Sequence, residues 1–138
     1  MTKVLAAGVF NILHPGHLFF LEEAKKLGDE LDVIVSSDAI TKKLKKGFIL
    51  PQEQRAEMVR ALKPVDRVFV GDEKDPMKLI SVIKPDVIAL GHDQDIDEDW
   101  LREQLSALGS KARIVRIEKK LEGGFYSSSS ILEKLNDS

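Results

Sequence analysis

The chain has 138 residues, a formal net charge of -2, 43% hydrophobic residues and 32% charged residues. This composition is typical of a folded domain, and the balanced charge gives no indication of a nucleic-acid partner. The absence of cysteine excludes disulfides, thiolate metal sites and a cysteine nucleophile. We therefore expect one domain over residues 1–138, with no signal segment or membrane span, in the cytoplasm.

Strand and helix patterns alternate along the chain. Five short segments rich in Val, Ile and Leu predict strands buried on both faces, at residues 3–10, 31–36, 67–70, 87–90 and 113–117. Apolar residues at helical spacing predict helices at residues 17–26, 52–62, 77–83, 97–108 and 127–135. A basic run at residues 42–46 follows the second strand, and we expect it to form a loop.

The alternation predicts an α/β fold with a Rossmann-like, doubly wound parallel sheet of five strands. The expected strand order is 3-2-1-4-5, which places a topological switch between the first and fourth strands. Ligands bind at such a switch, beyond the carboxyl ends of the strands. The segments that follow the first and fourth strands are therefore the candidate site.

The segment after the first strand contains His14-Pro15-Gly16-His17, which holds two of the three histidines of the chain. N–H groups and the positive end of a helix attract phosphate there, and imidazoles hydrogen-bond phosphate oxygens near neutral pH. An ordinary turn with solvated histidines is the alternative. The position between a strand and a helix favours a phosphate-binding loop.

Residues 8–17, read as GVFNILHPGH, resemble the GTFDxxHxGH signature of the cytidylyltransferase-like nucleotidyltransferases. Similarity extends over nearly the whole chain. These enzymes transfer a nucleoside monophosphate from a nucleoside triphosphate to a phosphate or phosphorylated alcohol and release pyrophosphate. Within the family, residues 42–46, 49–55 and 90–94 look most like the archaeal FAD synthases.

The resemblance implies that His14 and His17 contact the triphosphate and stabilise the transition state, with Lys46 as a further catalytic residue. Catalysis of this transfer is mostly positioning and charge stabilisation, so no protein nucleophile is required. The nucleotide-binding residues implied around the histidines are Val9, Phe10, Pro15 and Gly16.

Lys43 and Arg55 are the implied ligands for the phosphates of the acceptor. The planar guanidinium of Arg55 suits bidentate phosphate binding. A surface helix charge paired with Glu57 or another acid is the alternative for Arg55, and a solvated loop is the alternative for the lysines.

Two further segments complete the implied nucleotide site. Asp93 matches the family's Gly-x-Asp after the fourth strand, where a carboxylate accepts hydrogen bonds from ribose hydroxyls or a base amino group. Ser127, Ser128 and Ser129 match a family segment that binds phosphates at a helix N-terminus, and a serine-rich cap is the compatible alternative.

Departures from the family pattern leave the substrates open. Val9 replaces the common Thr, Asn11 replaces the common Asp, and Ser130 stands where Lys or Arg is frequent. Residues 122–125 do not reproduce the segment of the glycerol-3-phosphate enzymes, which argues against that acceptor.

The best specific prediction is an FMN adenylyltransferase that uses ATP with Mg²⁺ or a similar divalent cation, and a homodimer is compatible with the resemblance. The alternatives are a cytidylyltransferase that makes a CDP-alcohol and a non-catalytic nucleotide-binding module.

Overall fold

A computed structural model describes residues 1–44, 47, 49–75, 77–92, 94 and 96–118. Its strands are β1 (Lys3–Gly8), β2 (Glu30–Val35), β3 (Arg67–Val70), β4 (Val87–Gly91) and β5 (Arg113–Ile117). Its helices are α1 (Pro15–Lys25), α2 (Asp38–Leu44), α3 (Gln52–Arg60), α4 (Lys78–Ile83) and α5 (Glu98–Ala107).

The five strands form one parallel sheet in the order β3-β2-β1-β4-β5, which confirms the predicted topology. All five predicted strands are present. The first ends at Gly8 instead of residue 10. The reason is Phe10, whose φ of 51° is left-handed and cannot continue an extended strand.

Helices cover both faces of the sheet, so the central strands are buried on each side. Val4 and Ala6 of β1 pack in one apolar cluster with residues of α1 and α3. Leu5, which points to the opposite face, packs in a second cluster with residues of α4 and α5. Full burial of a Val or Leu side chain contributes about 2 kcal/mol, so these clusters fix the sheet on which the site is built.

The expectation of a loop after β2 is wrong for Lys42 and Lys43, which lie in the last turn of α2. Ser37 begins this helix, since its Oγ accepts the N–H of Ile40 at 3.3 Å. Thr41, fully buried, donates from Oγ1 to the Ser37 carbonyl at 2.7 Å. The charges of the lysine run concealed this short helix in the sequence pattern.

The other predicted helices are present with shifted ends. Helix α1 begins at Pro15, two residues earlier than predicted. Helix α4 begins at Lys78, one residue later than predicted. The last predicted helix, residues 127–135, lies outside the described residues. Within the described part of the chain, no helix combines the length and the apolar character that crossing a membrane requires.

Candidate active site

We use the term crevice for the place at the carboxyl edge of the sheet where β1 and β4 stop pairing. Their parallel register ends at Ala6 and Ala89. Beyond that point β1 continues along β2 as far as Gly8, and β4 continues along β5 as far as Gly91. The two central strands therefore diverge at the topological switch, where doubly wound sheets bind ligands.

The predicted histidine pair lies at the start of α1, directly after β1. The backbone N–H of Gly16 donates to Nδ1 of His14 at 3.1 Å, and the backbone N–H of His14 donates to Nδ1 of His17 at 3.3 Å. Because a backbone N–H only donates, both Nδ1 atoms are acceptors, and each neutral ring carries its proton on Nε2. Each imidazole is thus oriented through Nδ1 and has in Nε2–H the type of donor that binds phosphate oxygens.

The helix end is already hydrogen-bonded within the loop. Besides the bond from Gly16 to His14 Nδ1, the N–H groups of His17 and Leu18 donate to the carbonyl of His14 at 3.0 and 3.4 Å. Pro15 has no N–H. These N–H groups are therefore bonded within the loop, and the phosphate role assigned to this segment rests on the imidazoles.

Phe10 supports the histidine pair from beneath the loop backbone. The imidazole rings of His14 and His17 stack with centroids 3.8 Å apart and an interplanar angle of 29°, and the Phe10 ring lies 5.4 Å from His17. Phe10 is 4% exposed, and its left-handed backbone costs about 1–3 kcal/mol. Gly8 leaves room for the ring, because a Cβ at Gly8 would stand 2.9 Å from Phe10 Cε2.

Arg55 is fully buried and joins the ends of β1 and β2 to the segments around α2. Its Nη1 donates to the carbonyls of Val9 at 3.0 Å and Ser36 at 2.8 Å. Its Nε donates to the carbonyl of Leu50, and its Nη2 to Oδ1 of Asp38, each at 2.7 Å. These bonds occupy four of the five N–H groups of a guanidinium. Arg55 therefore holds the backbone that carries the histidines.

This burial changes the sequence interpretation of Arg55. A surface salt bridge with Glu57 is wrong, because the Arg55 side chain has no exposed area and its ionic partner is Asp38. The binding of an acceptor phosphate by Arg55 stays a prediction. Such a phosphate would have to accept its hydrogen bond from the second N–H of Nη2, which is not among the four bonds described above.

Asp38 completes this buried network at the first residue of α2. Burial raises the pKa of the Asp38 carboxyl, but hydrogen bonds from the Arg55 guanidinium and the Gln52 backbone N–H, with the charges of Arg55 and Lys42, hold it below the usual value of 3.8. The Asp38 N–H in turn donates to Oε1 of Gln52 at 2.8 Å. The carboxylate is thus ionised at neutral pH and balances the buried guanidinium.

Asn11 ties the histidine loop to the segment before α3. Its Oδ1 accepts the backbone N–H of Leu50 at 2.8 Å, and the residue is 9% exposed. Asn in place of the family's usual Asp therefore retains an acceptor oxygen, which the structure uses for a backbone contact.

The basic run at residues 42–46 lies between two residues that accept hydrogen bonds from Arg55. These are Asp38 at the start of α2 and Leu50 before α3. Lys43 is exposed in the last turn of α2. Lys46 lies outside the described residues. The described residues Asp38 and Leu50, on either side of the basic stretch, are therefore attached to the same network as the histidine loop.

The opposite side of the crevice contains two residues that the sequence analysis missed, Gln94 and Arg116. Gln94 donates from Nε2 to the Ala7 carbonyl at 2.9 Å and accepts the Gly91 N–H on Oε1 at 2.7 Å. Nη1 of Arg116 donates to the carbonyls of Gly91 at 2.8 Å and Gln94 at 2.9 Å. The available signals were an arginine between the apolar residues Val115 and Ile117 of a strand and an amide next to Gly-His-Asp.

The turn after β4 ends in a well-capped helix. Oδ1 of Asp97 accepts the N–H groups of Asp99 at 2.9 Å and Trp100 at 3.2 Å, so Asp97 is the N-cap of α5. The predicted ligands Asp93, Ser127, Ser128 and Ser129 lie outside the described residues. Among the residues that the structure does describe, no group of three or more His, Cys, Asp or Glu is arranged to hold a metal ion.

The chain matches the sequence profile of the cytidylyltransferase-like family over residues 5–134. It belongs to the cytidylyltransferase-like family. A FAD synthase from Ferroglobus placidus in this comparison is 55% identical over 135 residues, which cover 98% of this chain and 88% of that protein. A FAD synthase from Archaeoglobus fulgidus is 47% identical over 131 residues, or 95% of each chain.

Solved structures agree with the family's fold. A Thermoplasma volcanium protein described as a lipopolysaccharide core biosynthesis protein superposes with a TM-score of 0.84 at 45% identity, covering 88% of this chain and 99% of that one. Pantoate-beta-alanine ligase from Francisella tularensis shares the fold, with a TM-score of 0.60 at 15% identity over 88% of this chain and 60% of its own. Family membership confirms the resemblance first seen in residues 8–17.

Proposed function

We propose that this protein is an FMN adenylyltransferase, which transfers the AMP moiety of ATP to FMN and gives FAD and pyrophosphate. The observation that carries the proposal is the identity of 55% and 47% to FAD synthases over nearly the full chain. The geometry supports it, because an oriented histidine pair follows β1 where β1 and β4 diverge.

The reaction requires charge stabilisation more than covalent participation by the protein. A phosphate oxygen of FMN attacks the α-phosphorus of ATP in line, a new P–O bond forms, and the bond to pyrophosphate breaks. Negative charge develops on the α-phosphoryl oxygens and on the leaving group. We assign His14 and His17 to this charge, since donors fixed before the reaction lower its barrier without reorganisation.

The remaining site residues are assigned on the family pattern. Lys46 and Lys43 would neutralise phosphate charge, and Asp93 would bind the ribose or base of ATP. Ser127, Ser128 and Ser129 would bind the β- and γ-phosphates.

A divalent cation, Mg²⁺ or similar, fits the donor set if it enters with ATP, because Mg²⁺ is commonly held by substrate phosphates and water with one or two protein ligands. The described residues hold no ready cage of acidic or imidazole ligands. Bound there, the cation would neutralise phosphate charge.

The first prediction concerns the histidine pair. His14→Ala and His17→Ala should each lower kcat by about 100-fold or more, the usual cost of removing one transition-state donor. The assay is pyrophosphate release with ATP and FMN, with FAD quantified by chromatography. Lys26→Ala is the matched control, because Lys26 follows the opposite end of α1 and its side chain is 72% exposed.

Substrate pairs separate this proposal from its alternatives. FMN with CTP should give little product, and glycerol phosphate or choline phosphate with CTP should give none. Unchanged kcat in either histidine variant would contradict the assigned roles. Nucleotide binding without pyrophosphate release from any pair would instead identify a binding module.

A further inference from the structure

We propose that Gln94 and Arg116 are positioning residues that fix the separation of β1 and β4 and thereby set the affinity of the crevice for ATP. This inference rests on the proposed function, since it specifies how the same crevice receives its nucleotide. It concerns two residues to which the sequence analysis assigned no role.

The side-chain amide of Gln94 bridges the two strands just beyond the end of their pairing. On β1, the carbonyl of Ala7 accepts from Gln94 Nε2, and on β4 the N–H of Gly91 donates to Gln94 Oε1. Ala6, one residue before Ala7, and Ala89, two residues before Gly91, are still in direct register. The amide therefore occupies the place of a direct contact between the strands, and its length holds them apart.

The bridge also satisfies polar groups that the divergence would leave without partners. The bond to the Ala7 carbonyl is exposed and the bond from the Gly91 N–H is part-buried, so the cost of an unsatisfied buried group, about 1–3 kcal/mol, applies chiefly to Gly91. An amide supplies one donor and one acceptor, so it meets both requirements at once. A glutamate or an apolar side chain of the same length cannot do so.

Arg116 fixes the backbone from which the bridge extends. Its guanidinium donates to the carbonyls of Gly91, Gln94 and Ile96, at 2.8, 2.9 and 3.3 Å, and pairs with Glu98 at 3.2 Å. These contacts hold both ends of the bridging turn. Arg116 projects from β5, so the turn is attached to the sheet and not only to its own helix.

The placement predicts an effect on nucleotide binding in particular. The bridge stands between β1, which leads into the histidine loop, and the turn that contains the family's Gly-x-Asp. If it is lost, the two sides of the ATP site change their separation, while the rings of His14 and His17 keep the hydrogen bonds that orient them. ATP affinity should fall more than the rate of the chemical step.

The experiment compares Gln94→Glu and Gln94→Met with Gln104→Glu, a half-buried position on α5 with the same charge change. The dissociation constant of Mg-ATP is measured by calorimetry, and kcat and KM for ATP and for FMN by product formation. We expect Kd and KM for ATP to rise about tenfold in both Gln94 variants, consistent with one lost bridging interaction. At saturating ATP, kcat and the KM for FMN should change by less than about twofold.

Thermal unfolding separates positioning from general destabilisation. If kcat and both KM values change together in proportion to a lowered Tm, or if ATP affinity is unchanged, the proposal is wrong. If only Gln94→Glu weakens ATP binding, the cause is the added charge and the bridge is again excluded. If the wild-type protein binds ATP but makes no FAD, the proposed function fails, while the Kd comparison still decides the role of Gln94.

Arg116 supplies an independent test on the same turn. Arg116→Met should weaken Mg-ATP binding in the same direction, and Arg116→Lys should recover part of the loss because a lysine retains a charged donor. Arg113→Met, an exposed change at the other end of β5, is the control and should leave ATP affinity unchanged. Equal affinities for Arg116→Met and Arg113→Met would overturn the assigned role.

Discussion

The two sides of the crevice are both organised by an arginine, but the two arginines differ in burial. Arg55, on the side of the histidine loop, has no exposed side-chain area, whereas the Arg116 side chain, on the side of β4, is 20% exposed. Each donates to three backbone carbonyls and pairs with one carboxylate. The two arginines make the same pattern of contacts, but water reaches the Arg116 side chain and does not reach the Arg55 side chain.

That difference separates stability from function. Arg55 has no contact with water, so none of its hydrogen bonds can be replaced by solvent without opening the fold, although its partner Asp38 is 34% exposed. Near the surface, water replaces part of what is lost, and the main consequence is a less well-defined geometry. We therefore expect the histidine side to be the more sensitive to unfolding, and the β4 side to be the more sensitive in ligand affinity.

The strongest test of this comparison is Arg55→Met. It leaves three part-buried carbonyls without their donor, each at a cost of about 1–3 kcal/mol, so the free energy of unfolding should fall by about 3–5 kcal/mol. Denaturant unfolding measures the loss, and Arg60→Met, an exposed change at the last residue of α3, is the control. If Arg55→Met lowers the free energy of unfolding by no more than Arg116→Met does, the two arginines do not differ in their contribution to stability, and the contrast is wrong.

Gly8→Ala tests the packing beneath the histidine pair. The new Cβ would lie 2.9 Å from the Phe10 ring, and displacing a buried ring should cost about 1–3 kcal/mol and reduce kcat. Gly71→Ala offers a matched comparison after β3, because its Cβ would meet Ile34 at 3.4 Å, an ordinary contact. Similar stability and kcat in the two variants would show that the ring adapts freely.

The smallest expected effect concerns Asp38 and pH. Its pKa is lower in the folded chain than in the unfolded chain, so its stabilisation is complete well above pH 4 and is lost as pH falls through the folded pKa. Asp38→Asn keeps an acceptor oxygen for Arg55 and removes a charge that is 34% exposed and screened by water, so it should cost about 1 kcal/mol at pH 7. The difference from wild type should shrink at acidic pH. Urea unfolding at several pH values measures it, with Glu57→Gln on the exposed face of α3 as the control. A difference that does not depend on pH would contradict this assignment.

The sequence was sufficient for the sheet because its information is local. Buried parallel strands appear as continuous runs of Val, Ile and Leu, and their alternation with helices leaves few topologies. The short helix α2 was missed for a local reason as well. Lys42 and Lys43 suggested a solvated loop, while its actual start is marked only by Ser37 and Asp38.

The candidate site was less predictable because its supports are not local. The pattern around His14 and His17 was visible, since both residues stand in one short motif. The burial of Arg55 depends on carbonyls from β1, β2 and the segment before α3, which meet only in the folded chain. Gln94 likewise has an unremarkable sequence context, and its role depends on a strand that lies 87 positions away.

These separations also bear on how the protein acquires its activity during folding. The contact between Val9 and Arg55 closes a loop of 46 residues, and the contact between Ala7 and Gln94 closes one of 87. Contacts between distant positions form late, because the loop entropy must be lost before they stabilise anything. In the proposed function the crevice is the ATP site, so a nucleotide that binds the folded chain and not the unfolded one would add its binding free energy to the last folding step.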